Sequence, residues 1–308
     1  MRIAVIGAGA MGSFFAAKLS PLAEVWLISR WQQQVDAINN DGLNFTNMQG
    51  REIAISLQAT TNPQALIGSI DIALITVKTP DTVYASAIAR LLLKSTGITI
   101  SLQNGLGNTQ IIKGYLPPYK VTQGVTSIGV TLLGPGKIKQ AGDGPTHLAT
   151  TPQTKPLVLA LSHLLRQTNL EINVTDNLES LIWGKLIINV GLNALTAILR
   201  VPTGKLQGVE PAQNLVREAV QEAVSVAQAK QIPLPYTNPQ AQVQRVIQAT
   251  ATNRTSMLAD IIRGVPTEID AINGAIVSEG EKLGIQTPIN QTLVWLIKSL
   301  EQTVASRV

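Results

Sequence analysis

The sequence predicts an α/β fold: an N-terminal Rossmann-type doubly wound sheet over residues 1–176, followed by an all-helical domain over 177–308. Three observations lead there. Short β-branched runs alternate with helical periodicity through the first half, as a parallel sheet covered by helices requires. A Gly-x-Gly-x-x-Gly loop joins the first such run to the first helical stretch. Beyond Asp176 the strand signal disappears and only helical periodicity remains.

In chain order, residues 2–6, 24–29, 70–76 and 97–102 read as buried strands, with helices at 10–19 and 80–93 between them. Residues 42–59 look like a short strand excursion, and the glycine-punctuated alternation over 121–149 predicts antiparallel strands added at the sheet edge. A helix over 155–167 and a strand over 171–174 close this half. The second half predicts helices over 178–199, 212–230, 240–250, 268–283 and 289–306, interrupted by a loop at Pro233, Pro235 and Pro239.

Composition narrows the chemistry. Of 308 residues 45% are hydrophobic and only 14% charged, so the chain buries a large core and is not disordered. With no cysteine there is no disulfide framework, thiolate zinc site, iron–sulfur cluster or cysteine nucleophile, and with two histidines, His147 and His163, no metal site is expected. The net charge of +5 comes from scattered lysines and arginines, which argues against a nucleic-acid partner. No run of about 18 uninterrupted apolar residues appears, because 181–198 is broken by Lys185, Asn189 and Asn193; no membrane partner is expected. The N-terminus lacks a signal-peptide pattern, so the expected address is the cytoplasm.

The loop Gly7-Ala8-Gly9-Ala10-Met11-Gly12 follows a strand and opens a helix, the context in which such a loop cradles a dinucleotide. Gly7 permits the tight turn, Gly9 lets the backbone approach a pyrophosphate, and Gly12 lets helix and strand pack closely. The amide groups at the helix N-terminus then face the anion. About 20 residues beyond the last glycine, where NAD would call for a carboxylate on the ribose, stands Arg30. A guanidinium suits the 2′-phosphate of NADP; otherwise Arg30 is an exposed surface arginine. Two more strand ends point to the same edge of the sheet. One carries Lys78, a charge for the cofactor or merely a solvated lysine, and the other carries Asn104, a donor and acceptor or merely part of an Asn-Gly turn.

In the second half, Lys185, Asn189 and Asn193 are spaced by four, forming one polar stripe on an otherwise apolar helix. Such a stripe lines a wet cleft or lies at the surface. A desolvated lysine has a lowered pKa, which suits Lys185 as a general acid for an oxygen that receives a proton during hydride transfer. Asn253, Ser256 and Asp260 share a second helical face, although Ser256 also suits a helix cap. Glu268 follows Pro266 and Thr267 in what reads as a first helical turn, where the helix dipole favours a carboxylate whatever its function.

Together these segments resemble the ketopantoate reductase family, the NADP-dependent 2-dehydropantoate 2-reductases, over nearly the whole chain. The resemblance rests on the glycine loop, Val77-Lys78, Gln103-Asn104-Gly105, Trp183-Gly184-Lys185 with Asn189 and Asn193, Ser256-Met257-Leu258 with Asp260, and Thr267-Glu268-Ile269-Asp270 with Ile272-Asn273-Gly274. It implies reduction of ketopantoate to pantoate by NADPH, in the biosynthesis of pantothenate and coenzyme A. Lys185 would be the proton donor and Glu268 a catalytic carboxylate that also contacts bound ligands, the cofactor among them. Asn104 would bridge cofactor and substrate, with Arg30 and Lys78 on the cofactor. Lys185, Asn189, Asn193, Asn253 and Ser256 would meet the substrate, and Asp260 would have a supporting role. Thr203 stands where family members often carry asparagine, which points to a pocket adjusted for a different 2-oxo acid. The alternatives are an NADP-dependent reductase of another branched 2-oxo acid and a non-catalytic NADP-binding redox sensor, which would have no need of Lys185 as a proton donor. The chain could also pair with a second copy as a homodimer.

Overall fold

The computed structural model describes residues 1–304, in two compact units. The first comprises 1–103 and 108–178, and the second comprises 104–107 and the chain from Glu179 onward.

The first unit begins with β1 (Arg2–Ile6), α1 (Ala10–Leu19), β2 (Glu24–Ile28) and α2 (Gln32–Asp41). It continues through β3 (Leu43–Thr46), β4 (Glu52–Ile55), β5 (Gln58–Thr60), β6 (Ile70–Ile75), α3 (Thr82–Leu92), β7 (Leu93–Ser101) and α4 (Asn108–Lys113). β8 (Val121–Thr126), β9 (Gly129–Gly134), β10 (Lys137–Gly142), β11 (Thr146–Ala149), α5 (Lys155–Arg166) and β12 (Ile172–Thr175) complete it. The main sheet has eight strands in the order β12-β11-β8-β7-β6-β1-β2-β5. All its neighbours are parallel except β8 and β11. β1 is apolar and buried from Ile3 onward because helices cover both faces of the sheet. The register aligns Ile28, Ile6, Ile75 and Ser101 across four neighbouring strands, so the loops that follow them leave the same carboxyl edge side by side.

The strands over 121–149 are not all added to the edge of the main sheet. β8 runs parallel to β7 and β11 returns antiparallel to β8, but β9 and β10 leave to build a second sheet, β4-β3-β10-β9. An apolar link explains the detour: Phe14 of α1 packs edge-on against Phe45 of β3 with centroids 5.9 Å apart, giving the small sheet a buried face against that helix. The excursion over 42–59 accordingly divides between the two sheets.

The second unit is helical: α6 (Glu179–Leu199), α7 (Glu210–Ala229), α8 (Pro239–Ala249), α9 (Ser256–Arg263), α10 (Asn273–Leu283) and α11 (Pro288–Gln302). Among the described residues α6 is the one helix long and apolar enough to cross a membrane, and 67% of that apolar stretch is buried by its neighbours, the disposition of a core helix. Gly191 admits α7 closely, since a β-carbon there would stand 2.8 Å from Val220 Cγ2. A half-buried carboxylate fixes the start of α11: Glu222 accepts from the Ile289 and Asn290 amides at 2.8 and 2.9 Å and from Asn290 Nδ2 at 2.7 Å. Asn290 in turn receives Asn273 Nδ2 at 2.9 Å, so Asn273 has a structural duty. The helix expected over 268–283 is a 3-10 turn at Ile269–Ala271 followed by α10, and the expected end of the last helix at Ser306 lies outside the described residues.

Candidate active site

In the first unit, the glycine loop is shaped by two kinds of glycine. Gly7 has φ +115°, and a β-carbon on it would stand 2.7 Å from the Val77 amide nitrogen; one on Gly12 would stand 1.8 Å from the Gly7 carbonyl oxygen. These two are glycines because the protein needs the space itself. Gly9 is different. It caps α1 with φ −73° and ψ −169°, ordinary extended backbone, and a β-carbon there would meet nothing within 4 Å. The protein places no steric demand for glycine at this position, so the open space at the α1 N-terminus fits a ligand approaching the backbone, as a pyrophosphate does. No acidic residue stands in the first turn of α1 to oppose an anion.

The neighbouring strand ends carry the expected cations. Arg30 follows β2, pairs with Asp81 and lies over the Tyr84 ring at 4.5 Å. Its charge is therefore oriented but shared with a carboxylate that its sequence position does not reveal. Lys78 stands just past β6, ahead of the 3-10 turn Thr79–Asp81. Gln103 ties the end of β7 to the same region, donating to the Val77 carbonyl at 3.0 Å and to Thr82 Oγ1 at 2.8 Å.

In the second unit, Lys185, Asn104 and Glu268 come together. Lys185 Nζ on α6 donates to Asn104 Oδ1 at 2.6 Å, and Asn104 Nδ2 donates to Glu268 Oε2 at 3.4 Å. Glu268, 5% exposed, immediately precedes the 3-10 turn Ile269–Ala271. Asn104 is held there by the next two residues. Gly105 has φ +80° and approaches Ala271 so closely that a β-carbon would lie 2.3 Å from its carbonyl oxygen, while the Leu106 amide donates to that oxygen at 2.9 Å. This grip explains why 104–107 belongs with the second unit, although the sequence boundary at 176 assigns it to the first. Burial pushes the Lys185 ammonium down from 10.5 to about 8, with the Glu268 carboxylate pulling the other way. The result is an amine still protonated at neutral pH yet a better proton donor than an exposed lysine, aimed by Asn104.

Gly184 serves this arrangement. A β-carbon on it would stand 2.5 Å from Pro235 Cγ, and Tyr236 donates its hydroxyl to the Gly184 carbonyl at 2.9 Å. The proline-rich loop thus clamps α6 one residue before the lysine. Burial pushes the Tyr236 phenol up to about 12, which keeps it a neutral donor.

Asn189 and Asn193 continue the stripe, half-buried and 5% exposed respectively. One turn further on, Thr196 meets Thr255 hydroxyl to hydroxyl at 2.7 Å, docking the start of α9 on α6. Thr255 is also the cap of α9, accepting from the Leu258 amide, so the capping role considered for Ser256 falls to its neighbour and Ser256 is left exposed on the first turn. Thr203 is buried, and both its amide, at 3.0 Å, and its hydroxyl, at 3.1 Å, donate to the Asn253 carbonyl. Its hydroxyl therefore holds a predicted substrate-pocket residue. Asp260, 1% exposed, pairs with Arg263 at 2.7 Å within α9. Sequence reasoning missed Thr196, Thr255, Tyr236 and Asp81, whose partners are distant in the chain. It also missed Gln34, one of three consecutive glutamines. Among the described residues no cluster of three or more potential metal ligands exists.

The family models described as "Ketopantoate reductase PanE/ApbA" and "Ketopantoate reductase PanE/ApbA C terminal" match residues 3–153 and 177–301. The chain is similar to the 2-dehydropantoate 2-reductase of Archaeoglobus fulgidus, with 31% identity over 303 residues that cover 97% of this chain and 98% of that protein. Among solved structures it is similar to a PanE/ApbA family ketopantoate reductase from Ralstonia eutropha JMP134, with 30% identity, TM-score 0.89 and coverage of 98% of this chain and 99% of that one. It is also similar to D-mandelate dehydrogenase in a ternary structure with NADH and anilino(oxo)acetate, with 29% identity, TM-score 0.91 and coverage of 99% and 100%.

Proposed function

The chain belongs to the ketopantoate reductase family, and from that premise we propose that it is an NADPH-dependent 2-dehydropantoate 2-reductase. It would convert the ketone of ketopantoate to the alcohol of pantoate in the cytoplasm, on the route to pantothenate and coenzyme A. The observation that carries this reading is the hydrogen-bonded chain Lys185–Asn104–Glu268, with a lysine whose pKa of about 8 suits it to proton donation. When bound, NADPH supplies the hydride. Lys185 Nζ holds the proton that the ketone oxygen needs to become a hydroxyl. Asn104 fixes the direction of the ammonium group, and Glu268 keeps it from shedding its charge too early. Asn189, Asn193, Asn253 and Ser256 offer neutral donors and acceptors for the carboxylate and hydroxyl of a small 2-oxo acid.

In the first unit, the loop from Gly7 to Gly12, through Ala8, Gly9, Ala10 and Met11, would hold the pyrophosphate in the open space at Gly9. Arg30 and Lys78 would supply positive charge for the 2′-phosphate that distinguishes NADP from NAD. A second reading is favoured by the similarity to D-mandelate dehydrogenase, whose ternary structure holds NADH. On that reading the protein acts on a bulkier 2-oxo acid with NADH, and Asp81 compensates Arg30 so that no phosphate is needed.

Following cofactor absorbance separates the two. Ketopantoate, 2-oxoisovalerate and phenylglyoxylate would each be offered with NADPH and with NADH. The highest kcat/KM is expected for ketopantoate with NADPH. A preference for phenylglyoxylate with NADH would move the protein to the second reading. Cofactor binding without turnover of any 2-oxo acid would leave a redox sensor and sink both.

A further inference from the structure

We propose that Gln34 is a positioning residue for the dinucleotide: it orients the Ala8–Gly9 peptide so that the Gly9 amide faces the pyrophosphate. The proposal rests on the reading of the glycine loop as a cofactor site. Gln34 lies on α2 and is completely buried, whereas its neighbours Gln32 and Gln33 are exposed. Its side chain has a partner at each end. Nε2 donates to the Ala8 carbonyl at 3.1 Å and to Ser13 Oγ at 3.2 Å, and Oε1 accepts from the Gly136 amide at 2.7 Å.

The Gly136 contact determines which way the amide faces. Gly136 sits at φ +68° in the turn between β9 and β10, and its N–H can only donate. Turning the Gln34 amide over would set donor against donor at Gly136, so Nε2 is committed to the glycine loop. Ser13 Oγ adds a second donor to the Ala8 carbonyl at 3.3 Å. Two donors therefore hold that carbonyl toward buried side chains.

A trans peptide is planar, with its C=O and the following N–H pointing in opposite directions. Fixing the Ala8 carbonyl inward therefore turns the Gly9 N–H outward, on the residue beside which the structure leaves open space. A peptide ending in glycine reorients easily when it is not held, because glycine has the widest choice of backbone angles. Gln34 removes that freedom before the ligand arrives, so the amide need not be ordered during binding. Glutamate could not take its place, since a carboxylate offers only acceptors and would face the Ala8 carbonyl oxygen. Through Gln34 the second sheet, which forms no part of the loop, props up the anion site.

The test uses the full chain, titrated with NADPH and with adenosine 2′-monophosphate, a probe that has the 2′-phosphate but no pyrophosphate. If NADH is the preferred cofactor, NADH and adenosine take their places. Gln34→Met and Gln34→Glu should weaken the dinucleotide by about tenfold or more and change binding of the pyrophosphate-free probe by less than about twofold. Ser13→Ala, which removes the second donor to the Ala8 carbonyl and one acceptor of Gln34 Nε2 but leaves the Gln34–Ala8 hydrogen bond, should weaken the dinucleotide by about threefold and serves if both Gln34 variants fail to fold. Equal weakening of both ligands would reveal a general loss of structure and overturn the proposal. Unchanged dinucleotide affinity in folded variants would overturn it as well. Failure of the wild-type chain to bind either nicotinamide dinucleotide would instead overturn the reading of the cofactor site, and the proposal with it.

Discussion

Replacing Lys185 with methionine should make the protein less active and, at neutral pH, more stable. Methionine keeps a long unbranched chain while removing both the charge and the proton. The folded protein lowers the Lys185 pKa from 10.5 to about 8, chiefly by desolvation. That difference corresponds to a cost of about 3 kcal/mol, as an upper bound, for keeping the charged form in place. Because the folded value lies below the unfolded one, the unfolded chain holds more protons between about pH 8 and 10.5. Stability therefore rises with pH across that window, and the cost is borne in full below it. Methionine also loses the 2.6 Å hydrogen bond to Asn104, which offsets about 1 kcal/mol of the gain. Lys185→Met should thus be about 1–2 kcal/mol more stable than the wild type at pH 7, an advantage that disappears by about pH 10.5. Its kcat should fall by about 10²–10⁴. Urea unfolding followed by tryptophan fluorescence, with Trp183 2% exposed beside the site, measures the first effect at both pH values. A wild-type pH–rate profile should turn down near pH 8 as the donor deprotonates. A variant that is destabilised equally at both pH values would refute the desolvation argument, and one with near-normal kcat would refute the proton donor.

Two further substitutions probe the supports of the site. Gly105→Ala would put a β-carbon 2.3 Å from the Ala271 carbonyl oxygen on a residue at φ +80°, where the Leu106–Ala271 hydrogen bond prevents the backbone from yielding. A loss of about 2–4 kcal/mol is expected, along with a fall in kcat larger than any change in cofactor affinity as Asn104 withdraws from Lys185; a normal melting temperature would contradict this. Thr203→Val removes the hydroxyl that holds the Asn253 carbonyl at 3.1 Å. The KM for the 2-oxo acid should rise several-fold, by roughly the worth of one hydrogen bond, with the cofactor KM steady and Thr203→Ser restoring the wild-type value. An unchanged substrate KM would refute a role for the Thr203 hydroxyl in placing Asn253, whose carbonyl the Thr203 amide also holds.

Features whose cause is local were legible in the sequence. Strand, turn and helix around the glycine loop all lie within Arg2–Leu19, and the stripe of Lys185, Asn189 and Asn193 follows from helical periodicity alone. The doubly wound sheet and the helical second half were equally accessible, because burial on two faces or on one stripe imposes its own period on the residues. Partners far apart in the chain were not. Lys185 lies 81 residues from Asn104, and Asn104 lies 164 from Glu268; residue type suggested each role, but only folding brings the three into one hydrogen-bonded chain. The alternation over β9 and β10 identified strands but not their sheet, since a period of two fits either edge equally well, and packing of Phe14 against Phe45 favoured the second. Thr255 and Ser256 are chemically alike as caps, and the hydroxyl contact with Thr196 is what anchors one of them at the helix start. Among Gln32, Gln33 and Gln34 the side chains are identical. Burial alone distinguishes the third, because a polar group removed from water must find its hydrogen bonds inside the protein, and those of Gln34 lie at the glycine loop and at Gly136.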